Sequence, residues 1–344
     1  MSQLVFSGAP DHMTFGSKNE IEYTIGFGNA TRFIAREMNR AGISFVQGKH
    51  QTGAHHSSVN LSFCYPDEFS FQHNQYKIAY MPWESTGLKH GYAEELNNCD
   101  EVWTTSDWSQ EVLASQLSVP VYLYEHGIPE FCKPMKRKRN KIFTFLHVGE
   151  PAVRKGGQDV VNSFISTFGE DPNYRLIIKS SGKNSTRVYS DSGDTIGVPP
   201  SKYKNIQVIE DQLSENDLIS LYRSIDAFVY PSYGEGFGFN SAYAIAMGIP
   251  TICTAEWATY RDFITLPLDS SYTDSPWPQF HPGQVLKPDL DQMSRFMIDV
   301  SENYDKYLTD AWNKSIGMHE RFDWSRVSSK PMSRLKKIIS MTSK

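Results

Sequence analysis

One stretch, Tyr230–Pro250, constrains the fold of this chain more than any other, and it reads YPSYGEGFGFNSAYAIAMGIP. A short apolar strand pattern, Ala227–Tyr230, leads into it, and a run with helical spacing, Asn240–Met247, follows its glycines. A strand, a glycine-rich turn and a helix start present unpaired backbone N–H groups and the positive end of a helix dipole to an anion. The stretch therefore predicts a phosphate-binding turn. The alternative is a strand–turn–helix joint whose glycines serve packing alone.

The residues inside the turn indicate what accompanies the phosphate. Gly236 and Gly238 lack side chains, which would let a phosphate approach the backbone. A carboxylate at Glu235 would repel that phosphate, so we expect it to accept hydrogen bonds from the hydroxyls of an attached sugar. A residue in such a turn should face the ligand and not the core, so its replacement should leave the fold intact.

The run from Glu235 to Gly238, followed by a helix and by Gly248-x-Pro250, resembles the signature of the family-4 glycosyltransferases of the GT-B fold. The resemblance implies a nucleotide-sugar donor of the UDP or GDP type, retention of anomeric configuration, and no metal or other cofactor. It also implies a second glutamate that holds the ribose, where this chain has Tyr243. The donor-binding residues that it assigns in this stretch are Gly236, Phe237, Gly238, Phe239 and Tyr243. Tyr243 would then contact the nucleotide, or it has turned into the core.

A second signal is the turn Arg154-Lys155-Gly156, which follows the first predicted strand of the same domain. A diphosphate leaving group gains charge as the glycosidic bond breaks, and cations there stabilise the transition state more than the ground state. Relatives usually carry an arginine where this chain has Glu150, so Arg154 and Lys155 are the candidate catalytic cations. The alternative is a solvated pair at a helix start. Lys179 ends a strand at the same sheet edge and either reaches phosphate or base, or is solvated.

Two further candidates lie in the first half of the chain. Gly26-x-Gly28 opens a helix pattern as an incomplete dinucleotide fingerprint, and the resemblance places such a loop opposite the donor phosphates. Glu84 follows a predicted strand, in a position near which many relatives place a catalytic-site histidine, and the run Met81–Glu84 has none. We expect Glu84 to orient an acceptor hydroxyl, with a structural or capping carboxylate as the alternative.

The 344 residues suffice for two domains with separate cores. Strands alternate with helices throughout most of the chain, which predicts parallel sheets covered by helices on both faces. The expected fold class is α/β: the GT-B fold, with two Rossmann-like doubly wound domains facing each other across a cleft. The predicted segments are an acceptor-side domain at 1–129, a basic linker at 130–141, a nucleotide-sugar-binding domain at 142–325, and a helix packing back on the first domain at 326–344.

Composition excludes several other classes. A net charge of −5 argues against a dedicated nucleic-acid binder, and the four scattered cysteines indicate free thiols in a reducing compartment. The N-terminal MSQLVFSGAPDH does not have the features of a signal peptide, and no run approaches the roughly 18 apolar residues of a membrane span. A soluble, cytoplasmic protein is expected.

Metal-ligating patterns are weak. Asp289-Leu290-Asp291 has the letters of an Asp-x-Asp metal motif, but it follows Pro288 at a helix start, where aspartates are good caps. His50, His55 and His56 have no cysteine or carboxylate partner at metal spacing. No metal site is predicted.

The sequence therefore predicts an enzyme that transfers a sugar from a nucleotide diphosphate to an acceptor hydroxyl. The acceptor is open: a glycan, a small molecule or modified DNA. The DNA alternative rests on the basic run Lys136–Arg139, which otherwise is solvated linker. A non-catalytic nucleotide-sugar-binding protein is the third alternative, because Glu150 and Tyr243 replace two usual ligands.

Overall fold

A computed structural model describes residues 4–7, 26–47, 57–180 and 203–342 of the chain. These residues form two compact units. Unit 1 takes the described residues of Met1–Gly127, Trp277–Gly283 and Arg321–Lys344, and unit 2 those of Ile128–Pro276 and Gln284–Glu320. Two features of this division differ from the predicted segments. The expected linker, 130–141, belongs to unit 2, and the short segment Trp277–Gly283 belongs to unit 1.

Unit 1 is built on a six-stranded sheet in the order β2-β1-β3-β4-β5-β6, in which every neighbouring pair is parallel. Its strands are β1 Leu4–Ser7, β2 Phe45–Gln47, β3 Val59–Phe63, β4 Tyr76–Tyr80, β5 Glu101–Thr104 and β6 Val121–Leu123. Its helices are α1 Phe27–Arg40, α2 Tyr92–Asn97, α3 Asp107–Ala114 and, from the end of the chain, α9 Trp324–Thr342. Strands β1, β3 and β5 are buried along their whole length, as expected of a sheet covered on both faces.

Helix α9 is fixed to the sheet of unit 1 by a buried carboxylate on β5. The guanidinium Nε of Arg334 lies 3.0 Å and 2.9 Å from the two oxygens of Glu101. The indole of Trp103 donates a further hydrogen bond to Glu101 at 2.8 Å. Because Glu101 is fully buried, these donors are what make its charge tolerable there.

Unit 2 is built on a second six-stranded parallel sheet, ordered β12-β11-β10-β7-β8-β9. The strands are β7 Phe143–Val148, β8 Tyr174–Lys179, β9 Ile206–Ile209, β10 Ala227–Tyr230, β11 Thr251–Thr254 and β12 Leu266–Leu268, with an antiparallel hairpin of β13 Ser270–Asp274 and β14 Gln284–Pro288. The helices are α4 Gly157–Phe168, α5 Glu215–Arg223, α6 Phe239–Ala246, α7 Leu290–Glu302 and α8 Tyr304–Phe322. No described helix has the length and apolarity needed to cross a membrane.

Parallel strands bring the predicted motifs of unit 2 to one edge of its sheet. Strands β7 and β10 are neighbours, with Ala227 paired to Phe145 and Phe228 to Leu146. Both strands therefore end at the same edge, where ligands bind in open α/β sheets. The Arg154–Gly156 turn follows β7 and the glycine-rich turn follows β10.

The described residues include the four cysteines and the Asp289 motif, but not the three loop histidines. All four cysteines are buried free thiols. The side chain of Asp289 caps α7 by accepting from the backbone N–H of Gln292 at 2.8 Å, so the capping interpretation is confirmed. His50, His55 and His56 lie outside the described residues.

Candidate functional site

The centre of the site in unit 2 is the carboxylate of Glu235, which is only 6% exposed. One oxygen, Oε1, accepts hydrogen bonds from the hydroxyls of Tyr230 at 2.8 Å and Ser232 at 2.7 Å. The ammonium of Lys155 bonds both oxygens, at 2.7 Å to Oε1 and 2.8 Å to Oε2. The expectation that Glu235 lies outside the core was therefore wrong, because the protein itself holds this carboxylate in a buried ion pair. A contact between Glu235 and a donor sugar is still a prediction.

Arg154 lies in the same cluster. It precedes Lys155 in the 3-10 turn Val153–Lys155, and its guanidinium donates to the backbone carbonyl of Gly234. Its Nη1 also lies 3.4 Å from Oε1 of Glu235. Both predicted cations thus converge on the predicted carboxylate, and the alternative of a solvated pair does not describe them.

The ionisation of Glu235 follows from this environment. Burial by itself raises the pKa of the carboxyl, but the charges of Lys155 and Arg154 and the hydrogen bonds from Lys155 and Ser232 lower it to about 2. Glu235 is therefore a carboxylate at neutral pH and can accept hydrogen bonds but not donate them.

The cluster retains capacity for a ligand. A carboxylate has roughly four acceptor positions, and among the described residues Oε2 accepts only from Lys155. An ammonium has three N–H donors, and Glu235 accepts two bonds from Lys155. Lys155 therefore has one N–H donor left and Glu235 has acceptor capacity left on Oε2. Side by side, the two groups can bind a phosphate oxygen and a neighbouring hydroxyl at once.

The glycine-rich turn is braced by two aromatic residues that the sequence did not indicate. The indole of Trp257 donates to the carbonyl of Ser232 at 2.8 Å, and the hydroxyl of Tyr260 donates to the carbonyl of Gly238 at 2.7 Å. Gly238 has φ +77°, and a Cβ there would lie 2.6 Å from the Tyr260 hydroxyl and 2.7 Å from the Trp257 ring. The packing of Trp257 and Tyr260 is by itself enough to require glycine at this position. This agrees with the alternative in which the glycines of the motif serve packing.

The other residues assigned to the donor in this stretch are mostly buried. Gly236 and Phe237 are buried, and Phe237 packs against Phe239 and Tyr260. Tyr243 is 1% exposed and its ring packs against Phe131 at 5.8 Å and Phe239 at 5.6 Å. The placement of Tyr243 favours the core alternative, because helix α6 turns this side chain into unit 2. A nucleotide contact by Tyr243 is still a prediction.

His147 on β7 is a site residue that sequence reasoning missed. Its ring stacks on Tyr230 and its Nδ1 lies 3.0 Å from the carbonyl of Val229, so Nδ1 carries the proton and donates. Burial lowers the pKa of the imidazole to about 4, with smaller effects from that hydrogen bond and from Lys155. The available signal was a histidine in an otherwise apolar strand, FTFLHV.

Lys179 ends β8 at the same sheet edge. It is 7% exposed, so the solvated alternative is wrong. Burial lowers the pKa of its ammonium, and the ammonium donates to the carbonyl of Ser180. A contact with phosphate or base is still a prediction for this residue.

The predicted residues of unit 1 lie in two places. Gly26, with φ +51°, precedes α1, and Gly28 is buried in the first turn of that helix. Glu84 follows β4 and is 7% exposed, with its Oε2 lying 3.4 Å from Nδ1 of His281. His281 was not singled out from the sequence, because it comes from the distant segment Trp277–Gly283.

Two arginines of the basic run Lys136–Arg139 make contacts within unit 2. Arg137 donates to the carbonyls of Tyr222, Arg223 and Ile225 at the end of α5. The guanidinium of Arg139 lies 5.5 Å above the ring of Phe143. Two of the charges have structural partners, which removes much of the support for a DNA acceptor.

Comparison with known proteins identifies the class. Residues 142–264, which include the whole Glu235 cluster, match the family described as "Glycosyl transferases group 1". A sequence search of curated proteins found no match.

Solved structures match over nearly the whole chain. Sucrose-phosphate synthase from Thermosynechococcus elongatus matches at TM-score 0.70 and 13% identity, over 98% of this chain and 100% of that one. Anabaena HepE, solved with UDP and glucose, matches at TM-score 0.64 and 11% identity over the same shares. The pneumococcal O-GlcNAc transferase GtfA, solved with UDP and GlcNAc, matches at TM-score 0.54 and 15% identity, over 92% of this chain and 61% of that one. The structures show the GT-B fold, and the family match shows a glycosyltransferase domain of group 1 in unit 2.

Proposed function

We propose that this glycosyltransferase of the GT-B fold moves a sugar from a nucleotide diphosphate donor to an acceptor hydroxyl, and that unit 2 holds the donor. The observation that carries the proposal is the buried pair of Lys155 and Glu235, which retains one donor and one acceptor position at the ligand edge of a parallel sheet. The UDP found in two similar structures makes UDP sugars the first donors to test.

The roles of the residues follow from charge. The N–H of Lys155 that Glu235 does not use would bind an oxygen of the diphosphate, and Oε2 of Glu235 would accept from a hydroxyl of the donor sugar. As the bond between the anomeric carbon and the phosphate oxygen breaks, negative charge grows on the leaving diphosphate. Lys155, with Arg154 beside it, stabilises that charge more in the transition state than in the ground state.

Two finer features come from the family resemblance and are part of the proposal. The reaction retains anomeric configuration and needs no metal. In that mechanism the departing phosphate itself takes the proton of the acceptor hydroxyl, so no strong base is required. Since Glu235 is held as a carboxylate by two cations, it is poorly suited to act as a general acid.

A thermal-shift screen with UDP-glucose, UDP-GlcNAc and GDP-mannose tests the proposal. A ligand at 100 times its Kd adds about 2.7 kcal/mol to stability, which gives a readable shift. Lys155→Ala should weaken the shift, whereas Lys138→Ala, which changes an exposed lysine of the same unit, should not. No shift with any donor, or an equal loss in both variants, would contradict the proposal.

A non-catalytic donor-binding protein is the second candidate, favoured by Glu150 and by the burial of Tyr243 in place of two usual ligands. Release of nucleoside diphosphate from a bound donor separates the two candidates, since a binder alone would release none.

A further inference from the structure

Unit 2 contains a second cavity, which the proposed donor site does not use. Its volume is about 560 Å³, within the range of roughly 300–1,000 Å³ that is usual for small-molecule sites. It lies where α7 ends and α8 begins, beside the first residue of β8. The lining residues are Arg139, Tyr174 and the six residues 301–306.

The cavity lies at the edge of the sheet opposite the Glu235 cluster. Strands β7 and β8 pair in parallel from Phe143 with Tyr174 to Val148 with Lys179. Tyr174 begins β8, whereas Lys155 follows the far end of β7. Because a strand rises roughly 3.3 Å per residue, the two ends of these strands are about 17 Å apart. A ligand in this cavity would therefore not occupy the proposed donor site.

Two cations line the cavity with N–H donors to spare. The guanidinium of Arg139 lies 5.5 Å from the centroid of the Phe143 ring, and the ammonium of Lys306 lies 4.7 Å from that of Tyr307. Both residues are exposed, and in the part of the chain that the structure describes neither side chain donates a hydrogen bond. An anion in the cavity could accept from both.

Two carboxylates and an aromatic ring complete the lining. Glu302 and Asp305 are exposed, and within the described ranges neither carboxylate has a hydrogen bond or an ion pair. They can accept from ligand hydroxyls. The half-buried ring of Tyr174 stacks on Phe168, with centroids 4.0 Å apart, which holds it in place as an apolar surface. Since the two cations and two carboxylates cancel, the lining does not favour a polyanion.

Tyr304 is the buried member of the lining. It is 3% exposed and its ring packs edge-on against Phe143, with centroids 5.4 Å apart. Its hydroxyl finds no hydrogen-bond partner among the described residues. Burial raises the pKa of this hydroxyl, and the nearby charges that act on it include those of Asp305 and Arg139. A buried donor without a partner is unfavourable, so a ligand oxygen beside it would be stabilising.

We propose that this cavity binds a sugar monophosphate, separately from the sugar donor. A phosphate monoester carries about two negative charges at pH 7, which Arg139 and Lys306 match. The sugar hydroxyls donate to Glu302 and Asp305, and the C–H face of the sugar ring packs on Tyr174. The site goes beyond the proposed transfer reaction and does not depend on it.

Titration calorimetry on the full chain, in a buffer free of phosphate, tests this with glucose 6-phosphate, glucose and inorganic phosphate as probes. Glucose 6-phosphate should bind at least tenfold more tightly than either of the others, because only it carries both kinds of group. Arg139→Gln and Lys306→Gln should each raise its dissociation constant about tenfold, as for the loss of a hydrogen bond to a charged group. Tyr304→Phe should also weaken binding without lowering the stability of the ligand-free protein.

Lys138→Gln and Glu210→Gln change exposed residues of unit 2 outside the lining and should bind glucose 6-phosphate as the wild type does. Saturating UDP and Lys155→Ala should also leave its binding intact. Competition by UDP, or loss of binding in Lys155→Ala, would place the sugar phosphate in the donor site and overturn the inference.

Three further results would also overturn it: no binding of glucose 6-phosphate, equally tight binding of inorganic phosphate, or wild-type binding by Arg139→Gln and Lys306→Gln. Failure of every nucleotide sugar to bind, with glucose 6-phosphate still bound, would instead contradict only the proposed function.

Discussion

The ammonium of Lys155 lies 2.7 Å and 2.8 Å from the two carboxylate oxygens of Glu235, although the two residues follow different strands of the sheet. Adjacent strands β7 and β10 run parallel, so the turns that follow them meet at one edge. The ion pair is buried and is supported by Arg154, Ser232 and Tyr230. It sets the charge of the site before a donor binds, and the first two predictions below follow from it.

Replacing Lys155 with alanine should slow turnover by on the order of tenfold to a thousandfold, because it removes a cation from the leaving diphosphate. Steady-state kinetics with saturating donor measure this, with Lys138→Ala as the control. A raised KM with an unchanged kcat would assign Lys155 to ground-state binding alone.

Replacing Glu235 with alanine should abolish most turnover and also destabilise unit 2 by about 3–5 kcal/mol, the cost of leaving buried charges without a partner. Glu235→Gln keeps the shape of the side chain and should be the milder change. Because the pKa of Glu235 is lowered to about 2, its stabilising effect is complete above pH 4.5 and is lost as the pH falls toward 2. Urea unfolding of both variants at neutral pH measures the cost, and near-native stability of Glu235→Ala would contradict it.

Changing Tyr243 to glutamate should destabilise unit 2 by several kcal/mol, because the position is 1% exposed among the rings of Phe131 and Phe239. Tyr243→Phe preserves the packing and is the matched control, with a cost of about 1 kcal/mol or less. Thermal melting compares the two. A Tyr243→Glu variant with unchanged melting and tighter UDP binding would restore the nucleotide-contact interpretation.

Gly238→Ala should cost more stability than Gly248→Ala, although both glycines have positive φ, of +77° and +71°. An alanine Cβ at position 238 would meet Trp257 and Tyr260 at under 3 Å, whereas at position 248 the nearest atom is 3.6 Å away. The difference between the two variants isolates the packing cost from the backbone strain. Equal losses in thermal melting would show that only the backbone conformation requires glycine at Gly238.

Stability should fall as the pH drops below 6.5, because two histidines are buried in the neutral form. Burial lowers the pKa of His126 to about 3 and that of His147 to about 4. The unfolded chain binds protons near pH 6.5 while the folded one does not, so each histidine removes up to about 1.4 kcal/mol per pH unit until its own folded pKa is reached. His126 lies in unit 1 and His147 in unit 2, so both units should weaken.

Urea unfolding at pH 7.5, 6.5, 5.5 and 4.5 measures this slope. His90→Gln, which alters an exposed histidine, should leave it unchanged. A stability that stays constant from pH 7.5 to 4.5 would show that neither buried ring resists protonation.

The local pattern of the sequence was sufficient for the architecture and for the meeting of the Lys155 and Glu235 turns at one sheet edge. Short apolar strands alternating with helices predict a parallel sheet, and parallel strands place their following turns at one edge. The approach of Lys155 to Glu235 follows from this, because each residue stands shortly after a strand end. The class of enzyme followed too, since the motif Glu235–Gly238 is continuous in the sequence.

What only the tertiary structure decided depends on contacts between distant residues. The sequence placed Tyr243 on α6 but could not say which face of the helix packs inward against Phe131. It marked Gly238 as a ligand position, whereas Trp257 and Tyr260 fill the space that a side chain would need. It found no histidine beside Glu84, because His281 arrives from the segment between β13 and β14. Periodicity and motifs record neighbours along the chain, and such packing arises only when segments far apart in sequence are folded together.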